Sequence, residues 1–156
     1  MTLPEQLNTW DASALLNTTL DRGELTLEIA AEKIAAVCRY LKDEQQFVRL
    51  SAVTAVDRYP GEPRFEVVYL LHSLKRNERL RLKCRLSGEQ PEVDSVTGVW
   101  RAANWYEREV YDLFGVRFRN HPDLRRILMP EDWKGHPLRK DYPVTGDKYT
   151  YTNEAQ

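Results

Sequence analysis

Residues 64–86 read RFEVVYLLHSLKRNERLRLKCRL, and two alternations within them decide the fold. Over Arg79–Leu86, Leu80, Leu82, Cys84 and Leu86 fall on one side and Arg79, Arg81, Lys83 and Arg85 on the other. That is the period of a strand half buried against a core. Over Arg64–Leu74, Phe65, Val67, Tyr69 and Leu71 share one face. Lys75-Arg76-Asn77-Glu78 between them offers turn chemistry, so the pair reads as a hairpin.

Working outward, Phe47–Val56 is apolar on both faces, which predicts a central strand, and the run Asp57-Arg58-Tyr59-Pro60-Gly61-Glu62-Pro63 ends it. Ala30–Leu41 places Ile34, Val37, Cys38 and Leu41 on one helical face, opposite Glu32, Lys33, Arg39 and Lys42. Glu24–Ile29 alternates as a strand, with Ala14–Leu20 as its hairpin partner across Asp21-Arg22-Gly23. Downstream, Gly88–Gly98 reads as a loop. Val99–Phe114 reads as a helix docked through Val99, Ala103, Tyr106, Val110 and Leu113, and ended by Gly115. The expected class is α+β: a mixed sheet of four to five strands with helices packed on one face. This domain covers residues 1–117.

Residues 118–156 form the second expected unit, a long extended C-terminal tail with neither strand nor helix periodicity. Long stretches of that kind are functional or disordered. This one carries Ile127, Leu128, Trp133, Leu138 and Tyr142, too many apolar anchors for an inert solvated segment. Pro122, Pro130, Pro137 and Pro143 restrain it to extended geometry, which lowers the entropy lost when it docks on a surface.

Composition narrows the function. The formal net charge is −1, which gives no general case for nucleic acid. The charge is uneven, with 8 basic and 4 acidic residues between positions 58 and 91. The stripe Arg79, Arg81, Lys83 and Arg85 could face phosphates or an acidic partner. Alternatively it is a solvated strand face whose charges pair with neighbours such as Glu66. No aromatic residues are interleaved with it for base stacking. The cysteines, Cys38 and Cys84, stand far apart without a CxxC, so a four-ligand zinc or iron–sulfur site held by this chain alone is not expected. No apolar run approaches the roughly 20 residues that span a bilayer, and the N-terminus lacks a secretory pattern. The expectation is a chain that is cytosolic or faces the cytosol, with any membrane contact indirect.

The groups that could do chemistry lie late in the chain. Glu107, Glu109 and Asp112 are candidate acid–base carboxylates, with His121 as a companion. Glu107 and Glu109 would lie about 200° apart around the helix, which argues against a shared site, whereas Arg108 and Asp112 are i,i+4 neighbours. His121 and His136 each precede proline and read as backbone devices that can hydrogen-bond across a contact. No nucleophile elbow, P-loop or dinucleotide fingerprint is present.

The order Glu107-Arg108-Glu109, Asp112-Leu113-Phe114-Gly115, His121-Pro122-Asp123-Leu124-Arg125-Arg126-Ile127-Leu128 and Gly135-His136-Pro137-Leu138-Arg139-Lys140-Asp141 resembles the signature of the 30 kDa subunit of respiratory complex I. That protein is the C subunit of bacterial NADH:quinone oxidoreductase and the J subunit of its photosynthetic relatives. Glu62–Tyr69 and Ser95–Trp100 extend the resemblance over nearly the whole chain. Many relatives continue well beyond the signature, whereas this sequence stops 13 residues after Pro143, and a fused 49 kDa-type domain is not expected.

The resemblance implies a non-catalytic subunit of the peripheral arm. It would dock on the 49 kDa-type (D) subunit and on the quinone-module iron–sulfur subunits. It would support electron transfer from NADH to quinone coupled to proton translocation. FMN, iron–sulfur clusters, NADH and quinone would belong to the partners, with no cofactor, metal or nucleic acid bound by this chain. The place implied is the cytoplasmic face of a bacterial inner membrane, reached only through the complex. Equivalent subunits of membrane-bound hydrogenase or reduced-deazaflavin dehydrogenase complexes are the alternative. The partner-binding residues implied are Glu107, Arg108, Glu109, Asp112, His121, Asp123, Arg125, Arg126, Ile127, Leu128, Trp133, His136, Leu138, Arg139, Lys140 and Asp141. In this reading Arg125, Arg126, Arg139 and Lys140 bond to partner carboxylates or carbonyls, and Ile127, Leu128, Trp133 and Leu138 fill partner pockets. An autonomous acid–base enzyme and a nucleic-acid module are the rival classes.

Overall fold

The computed structural model describes residues 1–144. Its elements are α1 (Leu3–Trp10), β1 (Leu15–Asp21), β2 (Glu24–Ile29), α2 (Ile34–Asp43), β3 (Arg49–Asp57), β4 (Phe65–Ser73), β5 (Glu78–Leu86), β6 (Glu92–Asp94), α3 (Ala103–Phe114) and β7 (Arg117–Arg119).

The hairpin of β4 and β5 pairs in register from Phe65 opposite Leu86 to Ser73 opposite Glu78. All eight residues expected to face inward are buried, Phe65, Val67, Tyr69 and Leu71 against Leu80, Leu82, Cys84 and Leu86. The sheet order is β1-β2-β5-β4-β3. Only β2 and β5 are parallel; the other neighbours are antiparallel. The class is therefore α+β with a mixed five-stranded sheet.

The expectation of a central strand over 47–56 is corrected, because β3 lies at the sheet edge. Its inner residues Leu50, Val53 and Ala55 are buried under α3, while Ser51 and Thr54 on the other side are exposed. The inner position belongs to β4, where on the outer face Glu66 and Val68 are buried and Leu70 and His72 half-buried.

The helices supply the second layer. Leu3 and Leu7 of α1, Ile34, Val37, Cys38 and Leu41 of α2, and Ala103 and Val110 of α3 join one core with the inner face of the sheet. The helix α1 had not been anticipated. It starts with Thr2 donating its N–H to Glu5 Oε2 at 2.6 Å, and Pro4 lies in the first turn, where a missing N–H breaks no helical bond. The last helix begins at Ala103 rather than Val99, since the N–H groups of Val99 and Trp100 both turn back to the Val96 carbonyl. The expected loop 88–98 contains β6, which pairs in parallel with β7 (Val93 opposite Phe118). The boundary between residues 117 and 118 thus falls inside β7. Cys38 and Cys84 are free, buried thiols.

Candidate docking site

From Asn120 to Val144 the chain has neither helix nor strand, yet it is bonded to the body at several points. We call this segment the strap. Its geometry follows from what the end of α3 lacks. The last four carbonyls of a helix have no partner within it. Here all four are satisfied. Gly115, at φ 76°, turns its N–H to the Tyr111 carbonyl at 2.8 Å, the left-handed cap glycine adopts without penalty. The Asp112 carbonyl accepts from His136 Nδ1 at 2.9 Å and from Arg126 Nη1 at 3.2 Å. The Leu113 carbonyl accepts from the Leu138 N–H at 3.0 Å, and the Phe114 carbonyl from Arg139 Nε at 2.6 Å. Two guanidinium groups therefore lie at the negative end of the helix dipole.

The Asp112 side chain is the centre of the clasp. It is fully buried. Its Oδ1 accepts from Arg126 Nη1 at 2.7 Å, and its Oδ2 accepts three successive N–H groups, those of Ile127, Leu128 and Met129, at 3.0, 2.7 and 2.9 Å. Burial pushes its pKa up, but the amides and Arg126 outweigh that and hold it below the usual aspartate value. Arg126 uses its second nitrogen on the carbonyls of Trp133 and Gly135, at 3.0 and 2.8 Å. Arg108, one turn before Asp112 and also buried, donates to the carbonyls of Arg125 and Arg126 at 3.2 and 3.0 Å. The i,i+4 pair Arg108 and Asp112 thus grips one stretch of strap from two sides.

A second clasp holds the far end of the strap. Arg64, at 4% exposure, forks onto Asp57 with both contacts at 2.9 Å and reaches Asp141 at 2.8 Å. The Lys140 N–H donates to Asp57 Oδ2 at 2.9 Å. Burial raises the Asp57 pKa, yet Arg64 and the amides of Lys140 and Tyr59 bring it down to about 2. The Arg139 guanidinium lies over the Phe65 ring, 5.1 Å from its centroid.

Glu107 sits deeper, with no exposed surface. It accepts from Ser95 Oγ at 2.6 Å and from the Val96 N–H at 2.7 Å. Burial raises its pKa to about 7, against the lowering effect of those two bonds. His121 approaches it to 3.9 Å with a buried side chain. The Nδ1 of His121 accepts the Asp123 N–H at 3.0 Å, so its Nε2 carries the proton given to the Asn104 carbonyl at 3.1 Å. Burial lowers the pKa of both His121 and His136.

The structure therefore sorts the sixteen residues singled out by sequence. Glu107, Arg108, Asp112, His121, Arg126, His136, Arg139 and Asp141 are joined to other parts of this chain, and Lys140 through its backbone. Arg126 and Arg139, expected to bond to partner groups, use the bonds described above on their own chain. Glu109 is exposed on the outer side of α3, and Asp123 and Arg125 pair with each other at the surface at 2.9 Å. Ile127, Leu128 and Leu138 are exposed, the last two at 60% and 52%, and Trp133 is half-buried. The four groups of the acid–base reading do not converge. Glu107 meets His121, Asp112 faces strap amides, and Glu109 faces solvent.

Sequence reasoning assigned no role to Asp57, Arg64, Ser95 or Trp105. Trp105 is 61% exposed on α3, with the Arg108 guanidinium 5.2 Å from its ring centroid. A tryptophan on the polar side of an amphipathic helix was the available signal. Among the described residues, no three His, Cys, Asp or Glu side chains are grouped to hold a metal ion, and no helix is long and apolar enough to cross a membrane.

The fold and the site define a mixed-sheet α+β domain whose signature residues lie on its last helix and in a strap clasped over that helix. Residues 27–148 match the model of the family described as "Respiratory-chain NADH dehydrogenase, 30 Kd subunit", and the chain belongs to that family. It is 54% identical over 137 residues to the NADH-quinone oxidoreductase C subunit of Geobacter sulfurreducens, covering 86% of this chain and 84% of the relative. It is 44% identical over 153 residues to the corresponding C subunit of Roseiflexus sp., covering 97% and 88%. Among solved structures it is similar to a trypsin-resistant fragment (1-134) of Nqo5, with TM-score 0.68 and 32% identity over 80% of this chain and 100% of that one. A chain of the archaeal membrane-bound sulfane sulfur reductase, a respiratory membrane complex, gives TM-score 0.78 and 26% identity over 91% and 84%.

Proposed function

We propose that this chain is a non-catalytic subunit of the peripheral arm of an NADH-quinone oxidoreductase. It holds neighbouring subunits in place for electron transfer from NADH to quinone and the coupled proton translocation. Its neighbours are the 49 kDa-type subunit and the quinone-module iron–sulfur subunits. FMN, the clusters, NADH and quinone belong to those partners, and the complex stands on the cytoplasmic face of a bacterial inner membrane. The names of the relatives support the complex, and the architecture of the clasp supports the role.

One observation carries the docking role. Trp105, Ile127 and Leu128 are apolar and exposed, yet they sit on backbone and side chains fixed by Arg108 and Asp112. A surface ordered before contact loses little entropy on binding, and large aromatic and aliphatic anchors concentrate interface energy. The buried half of the signature thus positions the strap, and the exposed half, with Leu138 and Glu109, meets the neighbour.

The test is a Trp105→Ala/Leu128→Ala chain expressed in place of the wild type, followed by mild-detergent purification and identification of co-eluting chains. Flavin and iron–sulfur subunits should be lost from the eluate while the thermal midpoint of the purified chain stays within about 2 °C, since exposed side chains contribute little to folding. Undiminished co-elution would refute the docking role. Co-elution of the wild type with a nickel–iron subunit would instead assign it to a hydrogenase-type complex.

A further inference from the structure

The helices cover one face of the sheet, and the other face is open. Strand register sorts the open face into rows. Three of the four β5 cations are neutralised within the chain: Arg81 by Glu24 at 2.7 Å, Lys83 by Glu66 at 3.2 Å, and Arg85 by Glu28 at 3.0 Å. Arg79 is different. It stands opposite His72, which stands opposite Arg49 on β3. Among the described residues neither Arg49 nor Arg79 forms an ion pair, and both are exposed. The row therefore ends the sheet with two uncompensated guanidinium groups on either side of an imidazole.

Between them lies a groove of about 400 Å³, lined by both arginines, His72, Ser51, Leu70 and Leu80. Glu24, the one carboxylate in its lining, is held by Arg81. The apolar floor is local to this end of the open face: Leu70 and Ala52, paired side by side, are half-buried, whereas Val68, next along β4, is buried. Adjacent strands are about 4.8 Å apart, so Arg49 and Arg79 stand about 10 Å apart. Two residues seven positions apart on one helix face are separated by about the same distance. An open sheet face with an apolar floor is also the surface on which a helix completes a layered domain.

We infer that the Arg49–His72–Arg79 row is a second docking surface, which takes an acidic amphipathic helix of a neighbouring protein chain. Carboxylates two turns apart fork onto the two arginines, and apolar side chains between them rest on Leu70. Phosphate polymers fit less well, because the remainder of the cationic stripe is already neutralised and no aromatic side chain stands in the row to stack a base. The inference rests on the chain working inside a multi-subunit assembly, as proposed above. It does not depend on which subunit the strap meets.

The experiment uses a tagged Arg49→Lys/Arg79→Lys chain in its native membranes, treated with a carbodiimide that joins amines to carboxylates in direct contact. Cross-linked peptides are then identified by mass spectrometry. One or both introduced amines should be joined to an Asp or Glu of another chain, with the within-chain contact of Lys83 and Glu66 as the positive control. If the control couples and neither introduced amine reaches another chain, the inference is overturned. Coupling to a chain outside the oxidoreductase would uphold the inference and sink the proposed function.

In a parallel arm, Arg49→Glu/Arg79→Glu should lower recovery of the chain with its complex by about tenfold, with its thermal midpoint unchanged. Full recovery would overturn the inference. So would binding of the wild-type chain to phosphatidylglycerol vesicles that this reversal abolishes, since the row would then belong to lipid headgroups.

Discussion

Asp112→Asn preserves side-chain volume and removes the charge on which the strap closes. One carboxylate oxygen becomes an NH2 group that cannot accept. If the NH2 takes the place of Oδ2, the N–H groups of Ile127, Leu128 and Met129 lose their acceptor; if it takes the place of Oδ1, it faces Arg126 Nη1. Hydrogen bonds to a charged group contribute about 1.5–3 kcal/mol each, and breaking a buried charge pair costs about 3–5 kcal/mol. The surviving amide oxygen recovers some of this, leaving an expected loss of about 3 kcal/mol. At about 1.4 kcal/mol per decade, that is about a hundredfold increase in opening of the strap. Native-state hydrogen exchange reads it directly as the protection factors of the Leu128 and Met129 amides. Protection within about threefold of wild type would mean that Asp112 does not hold the strap. Acid should reproduce the effect. The folded-state pKa lies below the ordinary aspartate value of 3.8, so the carboxylate's contribution is complete above that value and is lost as pH falls through the lowered one. Wild-type protection should therefore collapse in acid, whereas the variant lacks that step.

Three further outcomes follow from the same geometry. Arg64→Ala leaves Asp57 buried without its guanidinium and should cost about 3–5 kcal/mol in urea unfolding; Arg64→Lys should restore only part, since an ammonium cannot fork. A loss below about 1 kcal/mol would show that this clasp does not contribute. For Glu107, the folded pKa of about 7 lies above the ordinary 4.5. The folded state thus binds the extra proton, and its stability falls as pH rises from about 4.5 to about 7. Glu107→Gln should remove that fall, up to about 3 kcal/mol, when unfolding free energies at pH 5 and pH 8 are compared; an unchanged difference would contradict the assignment. Gly115→Ala places a methyl group 2.5 Å from Arg139 Nη2 and 2.6 Å from His136 Cδ2 at a backbone φ of 76°. It should destabilise the protein by about 1–2 kcal/mol and shift the NMR signals of His136 and Arg139, whereas a neutral substitution would show that the strap yields freely.

The sequence revealed what is periodic. The alternations of β4 and β5 showed their inward faces, and the three- and four-residue spacings of Ile34, Val37, Cys38 and Leu41 marked α2. Edge and centre were not legible for β3, because an edge strand covered by a helix is as apolar on its inner face as a central one. The parallel contact of β2 with β5 was equally hidden, and with it the source of Glu24 and Glu28, which neutralise half the cationic stripe. The capping pair Thr2 and Glu5 could have announced α1. For the candidate site, the signature located the residues but not the direction they face. Arg126 and Leu128 are two positions apart, and one closes the clasp while the other is exposed. No period encodes a bond between Asp57 and residue 140, so the second clasp could not be read from the chain.

The capped end of α3 also bears on the order in which the domain can be completed. Synthesis proceeds from the N-terminus, and domains fold as units as they emerge. The helix is complete at Phe114, but its last carbonyls wait for His136, Leu138 and Arg139. Until the strap leaves the ribosome, the helix has an open end, and the Asp112 carboxylate lacks Arg126 and the three amides that it accepts from. Closure of the strap is thus a late checkpoint on the nascent chain, and the anchors on its outer surface take their final positions only when that checkpoint has been passed.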